Sequence, residues 1–204
     1  MRWWRSALLC VLSSVALAAA HADGAADLVF FSGDLMSGRN YGGVGWLHAT
    51  SGLDSSGPVL AAELGSDPLG WSDGQATAGW RLAENHAWIT FLAGVEIDPR
   101  NAPAFHPLAV ADLWWEPAPA WMVAAQIQAT PAYASWRIAV GLKPQENWPW
   151  LGPEAGSNAG EPRVGLHATG LSLPGGVEAR VSAGVSWRCG RPGPYGELSV
   201  WRRF

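Results

Sequence analysis

The residues with the most chemical potential lie in the C-terminal part of the 204-residue chain. Ser182 and Ser186 offer hydroxyls, His167 a base and Glu178 an acid, the types needed for a nucleophile, base and orienting group acting on envelope lipid. No motif ties them together, and any barrel-shaped sheet would bring such polar types together by chance. The chain has no Gly-rich phosphate loop, no His-Glu-x-x-His and no Gly-x-Ser-x-Gly elbow. His48, His86, His106 and His167 are scattered without ligand spacing, which reads as solvated or lumen histidines rather than a metal site. Asp67 and Asp73 flank a loop that could hold calcium, although two carboxylates in a turn are more often simply solvated. Cys189 stands next to Arg188 and Arg191, cations that favour a reactive thiolate. No enzyme activity, metal or cofactor is expected.

A second set of polar residues is larger and better ordered. Glu63, Arg81, Glu96, Asp112, Gln126 and Gln128 fall on the polar positions of alternating apolar and polar runs, and so do Arg137, Arg163, His167 and Glu178. Arg180, Arg188, Glu197 and Arg203 continue the series. If these positions line a barrel, opposite charges facing across a narrow lumen can pair and close it, whereas a water-filled pore leaves them solvated. The sequence leaves both open.

The elements that carry these residues are strands. From Val177 to Arg188, Val177, Ala179, Val181, Ala183, Val185 and Trp187 alternate with Glu178, Arg180, Ser182, Gly184, Ser186 and Arg188. Such alternation gives one extended strand with an apolar and a polar face. Trp121 to Thr130, Tyr133 to Leu142, Gln75 to Leu82 and Ala87 to Ile97 repeat the pattern. Turn clusters separate the runs, among them Ser51 to Pro58, Asp98 to Pro107, Glu116 to Ala120 and Gly190 to Pro194. The predicted count is about 12 strands, with 10 as the alternative, centred near residues 30, 45, 61, 79, 92, 111, 125, 137, 152, 167, 182 and 199. The first, second and ninth carry the least signal. With 25 Gly and 15 Pro, a mainly helical chain is excluded.

Residues 1–22 read as a secretory signal peptide. Arg2 and Arg5 precede the apolar stretch from Ala7 to Ala19, and Ala20-His21-Ala22 supplies a cleavage pattern. Residues 23–204 then form one exported domain with a single cysteine, Cys189, so no internal disulfide is available. A formal charge of -4 with one lysine offers no nucleic acid footprint.

Alternation alone does not say which way the apolar face points, since a soluble sandwich turns it inward and a membrane barrel outward. Strand lengths suit a bilayer crossing of about 9 to 11 residues. The polar face carries too many charges for a packed interior. Aromatic residues also gather at strand ends. Trp46, Trp80 and Trp115 close even strands while Trp88, Trp121, Trp148 and Trp150 open odd ones, so all seven fall at the rim that carries the termini. Indoles favour the membrane–water interface. Phe204 ends the last strand in the manner of a signal read by barrel-insertion machinery, and Arg202 on the apolar side would snorkel to headgroups. On this orientation Val181→Asp is expected to impair assembly and Ser182→Asp to be tolerated. Trp71, Phe105 and Tyr195 are expected at loops, where they could stack on sugar rings. The expectation is an all-β, antiparallel up-and-down transmembrane barrel in contact with outer-membrane lipid.

From Leu113 to Phe204 the chain resembles the cellulose biosynthesis protein BcsS family. The resemblance is carried by Leu113-Trp114-Trp115-Glu116-Pro117, Pro119-Ala120-Trp121, Ala134-Ser135-Trp136-Arg137, Leu151-Gly152-Pro153-Glu154 and the ending from Gly193-Pro194-Tyr195-Gly196 to Phe204. Asn40-Tyr41-Gly42-Gly43 and Gly79-Trp80-Arg81 look like the corresponding early strands. It departs in its short loops and in Arg202, where the family has a tyrosine. The resemblance implies a non-enzymatic envelope protein assisting production or export of cellulose or a related exopolysaccharide, with cellulose synthase or export components, or glycan, as partners. It brings no catalytic residues. Two other readings are a barrel enzyme acting on envelope lipid and a soluble, secreted β-sandwich that binds carbohydrate.

Overall fold

A computed structural model describes residues 26–36, 39–67, 72–99 and 103–204. Residues 1–22 and Trp71 lie outside the described residues. Twelve antiparallel strands follow one another around a closed barrel, each hydrogen-bonded to its sequence neighbours, and β1 (Ala26–Met36) closes on β12 (Arg191–Arg203). Between them run β2 (Arg39–Ala49), β3 (Gly57–Ser66), β4 (Ser72–Glu84), β5 (Ala87–Ile97) and β6 (Phe105–Ala118). The circuit continues through β7 (Trp121–Ala129), β8 (Ala134–Leu142), β9 (Trp150–Asn158), β10 (Glu161–Leu173) and β11 (Val177–Arg188). The ten-strand alternative is thereby excluded.

Two expected turns are shorter than the sequence suggests. β6 runs on to Ala118, because an irregularity between Trp115 and Ala118 absorbs Glu116 and Pro117 while the strand still pairs. β12 starts at Arg191, because Cys189 and Gly190 form a two-residue connection with φ of 47° and 76°. Ala159 and Gly160 make the same turn between β9 and β10, at φ 49° and 83°. Positive φ at both positions matches the right-handed twist of the flanking strands.

The alternation is realised with the apolar side outward. Leu60, Leu64, Phe91, Val95, Ile127, Ile138, Leu166 and Val181 all stand exposed on the outer wall. Arg81, Thr90, Glu154, Arg180 and Ser182 are buried within. A soluble sandwich would invert this arrangement, so that reading is overturned. The strands span 9 to 14 residues. At about 3.3 Å per residue and a tilt near 40°, ten residues cover about 25 Å, the height of a bacterial barrel's apolar band.

The interior is lined by polar side chains and holds no ordinary apolar core. Aromatic rings lie flat against glycines instead: a Cβ on Gly45 would fall 2.0 Å from the Phe30 ring, and one on Gly65 1.6 Å from the Tyr41 hydroxyl. A small apolar cluster of Ala49, Leu53, Val59 and Leu92 sits at the end bearing the termini. There the loop 50–56 tucks inward, and Arg81 Nη1 donates to the Leu53 carbonyl at 2.6 Å.

Candidate functional site: the barrel interior

Because side chains alternate along each strand, one wall of every strand faces the lumen, and the charges of twelve strands converge there. The densest group joins β8 to β12. Glu154 is 4% exposed and takes hydrogen bonds from Tyr195 Oη at 2.7 Å, from Ser182 Oγ at 3.0 Å, and from Arg180. Arg137 reaches across the lumen to Glu197, whose other oxygen pairs with Arg163 Nη2 at 3.0 Å. Tyr195 fits over small residues, since a Cβ on Gly165 would stand 2.3 Å from its hydroxyl and one on Gly184 2.8 Å from its ring.

The opposite wall is acidic and less tightly paired. Tyr41 Oη donates to Asp73 at 2.6 Å, Gln75 Nε2 to Glu63 at 2.7 Å, and the Tyr133 hydroxyl to Glu96 while accepting from Gln128 at 3.1 Å. A cavity of about 1080 Å³ runs between the two walls and is lined by both, from Glu84 and Trp88 near one mouth to Asp73 and Asn158 near the other. The interior is therefore partly filled by ion pairs and partly open. The two alternatives that the sequence left coexist in one lumen.

Each residue expected in the lumen can be placed. Glu63, Glu96, Asp112, Gln126, Gln128, Arg137, Arg163, Glu178, Arg180, Glu197 and Arg203 line the cavity. Arg81 and His167 face inward but are buried beside it. Arg188 departs from the rest: it pairs with Glu161 at 3.2 Å at the rim away from the termini, with half its side chain exposed.

The seven tryptophans expected at the rim divide into two groups. Trp46, Trp80, Trp115, Trp121 and Trp148 stand exposed at the end of the barrel that carries the termini. Trp88 and Trp150, expected in the same outer girdle, instead line the cavity. Their parity is the reason, since Trp88 shares its side of β5 with Thr90 and Trp150 its side of β9 with Glu154, both on the inner wall. Tyr195 is corrected too, being buried on β12 rather than carried on a loop, and Phe105 is the first residue of β6. Phe204 closes the seam through backbone bonds with Asp27, and the Arg202 guanidinium lies 4.9 Å over its ring. Nearby, Asp27 accepts from Trp46 Nε1 at 2.8 Å and contacts His48 Nδ1 at 2.9 Å.

The lumen residues that the sequence reading missed are Asp34, Tyr41, Asp73, Glu154 and Tyr195, together with Trp114 and Trp201. Glu154 had no visible signal, because its strand carries Gly152, Pro153 and Gly156 where alternation would be read. Trp201 did have one: it shares its side of β12 with Glu197 and Ser199.

The hydrolytic set does not assemble. His167 and Ser182 are direct cross-strand partners. However, His167 Nε2 lies 3.2 Å from the Val140 carbonyl, which can only accept, so that nitrogen carries a proton. Nδ1 contacts Thr169 Oγ1 at 2.9 Å, and the Ser182 hydroxyl is directed to Glu154. No basic lone pair points at the serine. Among the described residues no group of three or more His, Cys, Asp or Glu side chains could hold a metal ion.

A family model described as cellulose biosynthesis protein BcsS matches residues 70–204. The KdgM porin solved in complex with disordered oligogalacturonate superposes with a TM-score of 0.64 at 10% identity, over 87% of this chain and 99% of that one. A second KdgM porin structure gives 0.62 at 9% identity, over 87% and 99%. These likenesses show the fold. No curated protein matches the chain.

Proposed function

We propose, from the premise that this chain belongs to the cellulose biosynthesis protein BcsS family, that it is a non-enzymatic outer-membrane barrel assisting production or export of cellulose or a related exopolysaccharide. The single observation that carries the membrane placement is the outer wall, where exposed Leu, Ile, Val and Phe side chains surround a charged interior. Hydrocarbon solvates such a surface and water does not. Residues 1–22 act as the export signal and residues 23–204 as the barrel. The tryptophan rim at the termini end faces the periplasm, with the Asp27–Trp46–His48 group and Arg202 at headgroup depth. Barrel-insertion machinery reads the final strand ending in Phe204. Cellulose synthase or export components, or the glycan itself, meet the barrel at its mouths; nucleic acid is no partner.

The process assignment rests on family membership, supported by a lumen large enough to admit part of a sugar chain. Deleting the gene in its host and measuring extracellular cellulose tests it. The expected result is lower yield or altered polymer architecture, restored by the intact gene. Unchanged polymer would remove the process while leaving the fold untouched.

A further inference from the structure

Membrane interfaces account for indoles on the outside of a barrel. They give no reason for four that face inward among the described residues. Trp88, Trp114, Trp150 and Trp201 all line the cavity, and all lie near the termini end of their strands. They come from β5, β6, β9 and β12, so they are distributed around the mouth rather than stacked on one wall.

Their positions are fixed by built contacts. Trp114 Nε1 donates to Glu116 at 2.9 Å and Trp201 Nε1 to Glu178 at 3.1 Å. Trp114 meets Trp150 edge to face, with ring centroids 5.3 Å apart. Lys143 Nζ stands 4.0 Å over the Trp150 ring and the Arg81 guanidinium 4.5 Å over that of Trp88. Glycines make the room: a Cβ on Gly141 would fall 2.7 Å from Trp150 Cβ, and one on Gly170 3.1 Å from its ring. Trp150 Nε1 is buried with no hydrogen-bond partner. A lost hydrogen bond at a buried donor costs free energy, so an acceptor supplied by a ligand would relieve it.

Held aromatic faces beside carboxylates and one unpaired indole N–H are complementary to a pyranose ring. Its axial C–H face stacks on the electron-rich indole, while its equatorial hydroxyls donate to Glu116 and Glu178 and accept from Trp150. The charge of the cavity narrows the sugar further. Thirteen acidic residues line it against five basic ones, a formal excess that repels polyanions. We propose that this inward tryptophan collar is a binding site for an uncharged hexopyranose chain entering from the periplasmic mouth. The ligand class deepens the function proposed above and rests on that reading for its direction of entry.

The test uses the purified mature barrel in lipid nanodiscs, titrated with cellohexaose and with oligogalacturonate while intrinsic fluorescence is followed. Cellohexaose is expected to bind and oligogalacturonate not to. The double variant Trp114→Leu/Trp201→Leu should lose affinity by about tenfold or more, since each aromatic contact contributes up to about 1.5 kcal/mol. Trp114→Phe/Trp201→Phe retains ring faces and should keep most of the affinity, and Trp121→Leu on the outer wall should leave it unchanged. Folding of each is checked by the heat-dependent shift in gel mobility. Equal affinity in the Leu and Phe pairs, preferential binding of the uronate, or no binding of cellohexaose by folded wild-type barrel would overturn the collar. Each of these outcomes is compatible with lowered cellulose output in the deletion strain, so the two proposals fail separately.

Discussion

At the scale of single residues, Glu154 decides most about the interior. One carboxylate satisfies an arginine, a serine and a tyrosine from two other strands, and it is almost wholly buried. Removing one partner of such a group leaves an uncompensated charge in a poorly solvated place. Glu154→Ala is therefore expected to destabilise the barrel by about 3–5 kcal/mol, read by urea unfolding in lipid vesicles. A loss below about 1 kcal/mol would mean that water already bathes Arg180. Strand parity made Arg180 and Ser182 legible in the sequence. It could not reveal Glu154, because neighbouring glycines and a proline erase the pattern on β9. The inward tryptophans depart from the expected girdle for a different reason. Position along the strand puts Trp88 and Trp150 at the expected end, but parity sends them inward and overrides the indole's affinity for interfaces.

At the scale of elements, the long alternating runs specified β5, β7, β8 and β11 nearly to the residue, because a one-residue slip would turn each apolar face into the lumen, while β4 extends beyond the Gln75 to Leu82 run at both ends. The turns were harder. A two-residue link such as Cys189-Gly190 leaves little sequence behind, and the irregularity at Glu116 and Pro117 keeps a strand going through residues that usually end one. Register also corrects one expectation. Ser182→Asp should not be tolerated, since Ser182 is 1% exposed and bonded to the Glu154 carboxylate. Ser199, which lines the cavity directly across from Arg180, is the better lumen position. Ser199→Asp is expected to change stability by less than about 1 kcal/mol. Val181→Arg on the exposed outer wall should cost about 2–4 kcal/mol in a bilayer. Reversal of that order in vesicle unfolding would contradict the assigned faces.

At the scale of the whole molecule, closure and orientation are separate facts. Closure removes every strand edge and satisfies the backbone ladder through the β1–β12 seam. Orientation follows from charge, because a barrel this narrow cannot put Arg137, Arg163, Arg180, Glu154 and Glu197 anywhere but inside without exposing them to hydrocarbon. The order of strands and the side each run shows were legible from periodicity alone. The ion pairing within the lumen was not, because it depends on which arginines reach across to strands distant in sequence. Nitroxide labels placed one at a time from Trp121 to Ala129, in a Cys189→Ser background reconstituted in lipid, measure the central claim directly. Odd positions on β7 should collide with oxygen dissolved in the bilayer, and Ala124, Gln126 and Gln128, which line the cavity, with a water-soluble nickel chelate, alternating along the strand. Nickel access at Val123, Ala125 and Ile127 with oxygen-rich surroundings at Ala124 and Gln126 would contradict it.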